Sequence, residues 1–494
     1  MTSLPQLPAE LWLQVFSFLS WKDKLSMRCT CSHFRHLLDK SRPLWRGFCV
    51  VLRHFSRYNR RFWRSLAQRH VGSVMVCSGK SKHLWQLSAS LPALRALRLD
   101  DWREGGLDKL KLFQQLQRLS ITSCSTPLKT LDFLFPLSNQ LTQLSLCQVQ
   151  LTCLSSQLLD AVGQLTRLTS LLLHHDGSLW VPTPGSILTH RPDLTHLSWT
   201  MITYKTLSRD FFCPAHLSAG GGAVQLSELQ LLDYDAAVTQ EVLQPLSRLQ
   251  SLSIFHLYSV PGPVCHLTTW LTSLPELRSL SVHGGHPLAA YVDFLPRSLH
   301  SLTLCVELHP DDLQVASLRA PCLEHLHLEP WSSSSDLVRL LPQLFPHLRT
   351  LHIRHQHVSD DDFLSLQLLR RLDTLEFGVN TRWFREWVGT NTPNKQLSSG
   401  RRLWPCLNTK VREYVQYVSR TFLRVQLGCT FCREQEDAEW SFCNWNSSVL
   451  SFFWFYSGYG TLLPTTCRSV GQSKGKERKR VIKFRLHIMA SAGK

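Results

Sequence analysis

The sequence predicts an α/β fold built as a solenoid: short strands joined by helical or irregular returns, stacked so that one parallel sheet lines the inner wall. Three observations carry this. The pattern leucine-x-x-leucine-x-leucine recurs twelve times, anchored at Leu94, Leu116, Leu141, Leu168, Leu194, Leu226, Leu249, Leu277, Leu299, Leu323, Leu348 and Leu372. The anchors lie 22 to 32 residues apart, which is mostly the length of one strand plus its return. The last three positions of each copy alternate as strand residues do, with neighbouring side chains on opposite faces.

In Leu299-His300-Ser301-Leu302-Thr303-Leu304, Leu302 and Leu304 enter the core, Leu299 reaches it from the preceding turn, and Ser301 and Thr303 point outward. One such unit cannot bury its apolar side alone, so stacking must supply a continuous core. The expected product is a leucine-rich-repeat horseshoe. A degenerate copy, Val71-Val74-Val76, precedes the first, and the second copy ends in Cys124 as LxxLxLxxC. Leu154 to Leu165 and Asp360 to Leu369 carry helical apolar spacing and are read as returns. The Val358-Ser359-Asp360 stretch resembles the segment after the strand in cysteine-containing leucine-rich repeats.

A partner would be read by the outward strand positions. Through the middle of the stack these are small and hydroxyl-rich, with Leu232 and Phe255 as apolar anchors. Toward the C-terminal end they gather His325, His327, Glu329, His352, Arg354 and Glu376. These eight are the expected substrate-binding residues. The histidines lack an HxxxH spacing on a helix, so no metal site is assigned.

Charge is distributed unevenly. Residues 1–80 carry a net +11, residues 81–394 a net −4, and residues 395–494 a net +11. The repeat body is therefore nearly neutral, which argues against nucleic acid as its partner despite the overall +18. No run of ~18 apolar residues is present, so no transmembrane helix is expected. Met1 to Pro8 lacks the pattern of a secretory signal. The sixteen cysteines are scattered rather than set at framework spacings, so they read as reduced thiols of a cytoplasmic or nuclear protein. The glycosylation triplet at Asn446 is then a chance match.

Near the N-terminus, Leu7-Pro8-x-Glu10-Leu11 opens a helix, with Glu10 at the positive end of the helix dipole. Leu11, Val15 and Phe18 come next at helical spacing, with Trp12, Phe16 and Leu19 beside them. Two sides of this short helix are therefore apolar, one for its own domain and one for a partner. Ser20-Trp21-Lys22-Asp23 reads as a capping box for a second helix. A third helix ends between Asp39 and Trp45, with Pro43 as its breaker.

With Leu7-Pro8, Glu10, Phe16 to Leu19, Cys31, Phe34 and Leu44-Trp45 in this order, residues 4–48 resemble an F-box; Phe34 stands where the family has Trp, and Ser32 where it has a basic residue. An F-box followed by leucine-rich repeats is similar to the F-box and leucine-rich-repeat family. That resemblance implies a non-catalytic substrate receptor of an SCF-type (Skp–cullin–F-box) ubiquitin ligase. The F-box would hold the Skp-type adaptor, and through it the cullin and RING subunits, by Leu7, Pro8, Glu10, Leu11, Val15, Phe16, Leu19, Leu44 and Trp45. The repeats would hold a protein substrate, and no cofactor is implied. Two other readings compete: a non-ligase F-box scaffold or inhibitor, and a nucleic-acid or membrane-surface binder acting through the basic ends.

Residues 49–70 are expected to form a linking helix, with Arg57, Arg60, Arg61, Arg64 and Arg69 interleaved with Phe55, Tyr58, Phe62, Trp63 and Leu66. The repeats occupy 71–378. Residues 379–494 are expected to be an irregular basic tail. In it, Cys429-x-x-Cys432 with Cys443 and Cys467 fits no standard zinc spacing, Val449 to Tyr456 is too short to span a bilayer, and Lys474 to Arg485 reads as a solvated tail or a nuclear-import signal.

Overall fold

A computed structural model describes residues 7–19, 21–45, 47–53, 55–174, 182–201, 211–212, 224–234, 246–256, 264–329, 337–354, 365–372, 374–380 and 481–487. They divide into two compact units at Leu232/Asp233.

The first unit opens with three helices, α1 (Ala9–Ser17), α2 (Trp21–Thr30) and α3 (Ser32–Lys40), then a 3-10 turn at Arg42–Trp45. Next come strand β1 (Cys49–Leu52) and helix α4 (Arg60–Gln68). The stack continues with β2 (Ser73–Cys77), α5 (Ser81–Ser90), β3 (Ala96–Trp102), β4 (Arg118–Cys124) and β5 (Gln143–Cys147). It is completed by α6 (Ser155–Gln164), β6 (Ser170–His174), α7 (Pro184–His190), β7 (His196–Thr200) and β8 (Glu228–Tyr234). Each strand of β1–β8 pairs in parallel with the next.

The second unit contains β9 (Ser251–His256), α8 (Leu267–Ser273), β10 (Ser279–His283), β11 (Ser301–Cys305), α9 (Pro310–Arg319) and β12 (His325–Leu328). It ends with α10 (Leu337–Leu344), β13 (Thr350–Arg354), β14 (Thr374–Asn380) and β15 (Val481–His487). Strands β9–β14 are parallel, and β15 runs antiparallel to β14.

All twelve leucine patterns become strands, β3 to β14. Register explains why the spacing matters. Leu97, Leu119, Leu144, Leu171, Leu197 and Leu229 are successive in-register partners in the first unit, and Leu252, Leu280, Leu302, Leu326, Leu351 and Leu375 in the second. Equivalent leucines thus stack on one another, and each one buried contributes roughly 1.5–3 kcal/mol. The carbonyl ahead of each strand bridges repeats as well: Arg95 O accepts from Gln117 N–H and Arg118 N–H, and Gln117 O from Thr142 N–H and Gln143 N–H. Each unit is therefore a leucine-rich-repeat stack.

A turn signature ends the strands. Ser78, Asp101, Ser123 and Gln148 each lie seven residues after the first apolar anchor of their repeat and adopt φ between 51 and 54°. In the second unit Gly284 occupies the same place with φ 78°. The chain turns there by a left-handed residue and sends the next one, Trp102 or Val149, back into the core.

Two findings revise the sequence reading, and one, the end of the third helix, falls within it. Residues 49–70 are not one helix: β1 occupies 49–52, with Val50 and Leu52 buried, Phe55–Arg57 form a 3-10 turn, and the α-helix is Arg60–Gln68. Pairing with β2 offers these four residues a ladder that a lone helix start would not. The third helix ends at Lys40, and the segment to Trp45 is a separate 3-10 turn. Within the expected tail, Val481–His487 is a strand. Ser20, Val358 to Asp360, Cys429, Cys432, Cys443, Cys467, Asn446, Val449 to Tyr456 and Lys474 to Arg480 lie outside the described residues.

Candidate protein-docking surface

Helix α1 starts at Pro8, whose carbonyl accepts from the Leu11 and Trp12 amides, and Glu10 sits in its first turn. The helix is apolar on two sides, and the structure separates them. Phe16 is fully buried with Phe34, Leu38, Leu44 and Trp45, and Trp12, Leu13 and Leu19 pack partly buried against that cluster. Phe16 meets Phe34 edge-on at 5.2 Å, and Trp12 meets it at 4.6 Å. Cys31 positions Phe34: its Sγ accepts from the Phe34 amide and caps α3. The Trp45 indole donates to the Leu38 carbonyl at 2.7 Å.

The other side faces solvent. Leu7, Leu11, Val15 and Phe18 are 39, 45, 43 and 68 % exposed. Their spacings of four, four and three residues put them on one strip of the helix and its entry. Single exposed apolar residues are ordinary on a soluble protein; an aligned set on a nine-residue helix and its two ends points to something that covers it.

The expected docking residues therefore divide. Leu7, Pro8, Glu10, Leu11 and Val15 are exposed, and Leu19 is half-buried. Phe16, Leu44 and Trp45 are core residues and present no surface, because three short helices have so little interior that their largest side chains must fill it. Phe18 belongs to the strip; its helical spacing from Val15 is visible in the sequence.

A polar cluster fixes the N-terminal helices to α4. Arg28 donates to both carboxylate oxygens of Asp39, at 2.7 and 2.8 Å, and to Ser65 Oγ at 3.3 Å. Arg69, buried, donates to Ser65 Oγ and to the Ser65 carbonyl, both at 3.1 Å, lies 3.8 Å from Asp39, and stacks on Trp45. The hydrogen bond to Asp39 raises the Arg28 pKa. Burial, then the charge of Arg28, lowers that of Arg69, with Asp39 acting against them.

Residues 4–51 match the family model described as F-box-like. No curated protein matches the chain. Among solved structures, the crystal structure of a TLR13–ssRNA13 complex is similar to this chain at 17 % identity and a TM-score of 0.32, over 66 % of this chain. The match spans about half (54 %) of that protein.

The sheet faces of the two units differ in chemistry. In the first, Cys147 Sγ lies 3.2 Å from His174 Nδ1, His174 Nε2 lies 2.7 Å from Ser198 Oγ, and Ser198 donates to Gln230 at 2.6 Å. This row bridges strands β5 to β8. In the second, Phe255 stacks flat on His283 at 4.1 Å, His327 Nε2 lies 3.3 Å from Glu329, and the His327 and His352 rings are 5.2 Å apart. Burial holds the fully enclosed His283 well below the usual histidine pKa, and His327 and His256 add to that.

Leu232, Phe255 and Glu329, expected on an open face, are buried. Strand alternation says which way a residue points. Cover comes from in-register neighbours about 4.8 Å away, as His283 covers Phe255. Of the remaining expected substrate-binding residues, His325 is exposed and His327 and His352 are half-buried. The side chains of Arg354 and Glu376 lie outside the described residues. Among the described residues no group of histidine, cysteine and carboxylate side chains is placed to hold a metal ion, and no helix is long and apolar enough to cross a membrane.

Proposed function

We propose that this chain is the substrate-recognition subunit of an SCF-type ubiquitin ligase. The F-box-like region docks a Skp-type adaptor, which brings the cullin and RING subunits, and the leucine-rich repeats hold a protein to be ubiquitinated. The observation that carries this reading is the Leu7–Leu11–Val15–Phe18 strip: exposed apolar surface on the first helix of a region that matches the F-box-like family. Docking on it removes that surface from water, worth about 25 cal/mol per Å² before association costs.

The chain itself is non-catalytic in this scheme. Ubiquitin transfer belongs to thiols of other subunits, and this chain contributes proximity by holding substrate and adaptor at once. It acts in the cytoplasm or nucleus and uses no cofactor.

Co-expression with a Skp-type adaptor tests the proposal. Wild type is expected to co-purify with it, and Leu11→Asp/Val15→Asp is expected to fold and fail to do so. Capture of the adaptor without ubiquitination of any bound protein by the assembled complex would favour a scaffold or inhibitor. Strong, steeply salt-dependent nucleic-acid binding would favour the third reading.

A further inference from the structure

We propose that Ser65 is a phosphorylation site, prebuilt by Arg28 and Arg69, whose modification locks the F-box-like helices to α4. Ser65 lies at the joint between these elements, half-buried, and its Oγ already accepts hydrogen bonds from two guanidinium groups on different elements, Arg28 Nη2 at 3.3 Å and Arg69 Nη2 at 3.1 Å. Two cations share one nearby carboxylate, Asp39. Positive charge is therefore in excess in a largely buried place.

The lowered pKa of Arg69, caused by burial and by Arg28, agrees with that excess. A serine phosphate brings about −1.5 to −2 charge and three acceptor oxygens, and it forms its strongest contacts with guanidinium groups held side by side. Arg28 and Arg69 offer that arrangement where a neutral hydroxyl now sits.

The local sequence suits delivery of the phosphate. Arg60, Arg61 and Arg64 precede Ser65, and all three are exposed. That places basic side chains five, four and one residues before the hydroxyl. In the transfer, the Ser65 hydroxyl oxygen attacks the γ-phosphorus of ATP. The bond from that phosphorus to the β,γ-bridging oxygen breaks, ADP leaves, and the hydroxyl proton passes to the kinase's base.

The inference does not rest on the ligase reading, and it is tested on the full-length chain in two arms. In the first, phosphoserine is installed at position 65 during synthesis, and amide hydrogen exchange is followed over residues 28–40 and 60–69. Exchange at least ~3-fold slower than in the unmodified chain is expected, with the gain lost in Arg28→Gln and Arg69→Gln backgrounds. Unchanged or faster exchange, or a gain that survives both substitutions, overturns the proposal. In the second arm, the folded chain is treated with an arginine-directed kinase and Mg-ATP, and phosphate is mapped by mass spectrometry. Phosphate at Ser65 of the folded chain is expected. Phosphate there only after unfolding in urea, or in neither state, rules out Ser65 as a site of the native protein.

Discussion

The guanidinium of Arg69 lies 4.8 Å from the centroid of the Trp45 ring, so the linking helix and the last turn of the F-box-like region share one buried contact. Arg69 comes from the end of α4, and Trp45 belongs to the cluster that contains Phe16. Through this pair the small N-terminal core leans on the helix that begins the repeat stack. Arg69→Leu keeps an apolar stem but removes the stacking charge and the bonds to Ser65. A loss of about 1–3 kcal/mol in urea unfolding is predicted. A stability equal to wild type would show the contact to be idle.

Phe16 and Leu11 sit five residues apart on one helix and do opposite things. Phe16→Ala opens a cavity in the N-terminal core and should cost about 3–5 kcal/mol, with loss of protection of α1–α3 in hydrogen exchange. Leu11→Asp removes exposed apolar surface and should leave stability within about 0.5 kcal/mol of wild type. Equal effects of the two on stability would mean that the helix faces are misassigned.

Gly285 tests the tight turn of the second unit. It has φ 78°, and an added Cβ would lie 2.7 Å from the ring of His256. Gly285→Ala therefore meets both a strained backbone and a clash, and its denaturation midpoint should fall by more than the ~1 kcal/mol typical of a left-handed residue alone. Gly72→Ala, with nothing within 4 Å of its added Cβ, is the matched control and should fall less.

Buried histidines give the fold a pH dependence with a definite sign. Burial lowers the pKa of His283 and of His266 in the folded chain. In the unfolded chain both take a proton near the ordinary value of about 6.5. Below that pH the unfolded state therefore binds more protons than the folded one, and stability falls as pH drops. Unfolding at pH 7.5 and 5.5 should show this loss, at most about 1.4 kcal/mol per pH unit for each histidine. His283→Gln should make the profile shallower. A profile unchanged by that substitution would mean His283 titrates normally.

Much of this fold is legible in the chain because repeats write it twelve times. The Leu299 to Leu304 pattern predicts a strand with Leu302 and Leu304 inward, and β11 places both in the core. What the pattern cannot carry is cover. Strand alternation points Phe255 away from the core, yet it is buried because His283, twenty-eight residues later, lies flat against it. Strand β1 escapes the sequence for a related reason: Cys49-Val50-Val51-Leu52 has no leucine anchor, and only β2 beside it makes a strand of it. The N-terminal helix is recognisable as apolar on two sides, but which side lies inside depends on Phe34 and Trp45, residues of later elements. The Arg28–Ser65–Arg69 cluster joins residues 37 and 4 positions apart, and no sequence spacing announces it.

The most direct measurement of the central claim is the affinity of the full-length chain for a purified Skp-type adaptor, wild type against Leu11→Asp/Val15→Asp, with hydrogen exchange showing that α1–α3 remain folded in both. Tight binding by wild type and a loss of a hundredfold or more in the double variant, about 2.7 kcal/mol, is the result this account predicts. Absent binding by wild type, or equal binding by the two, would contradict it.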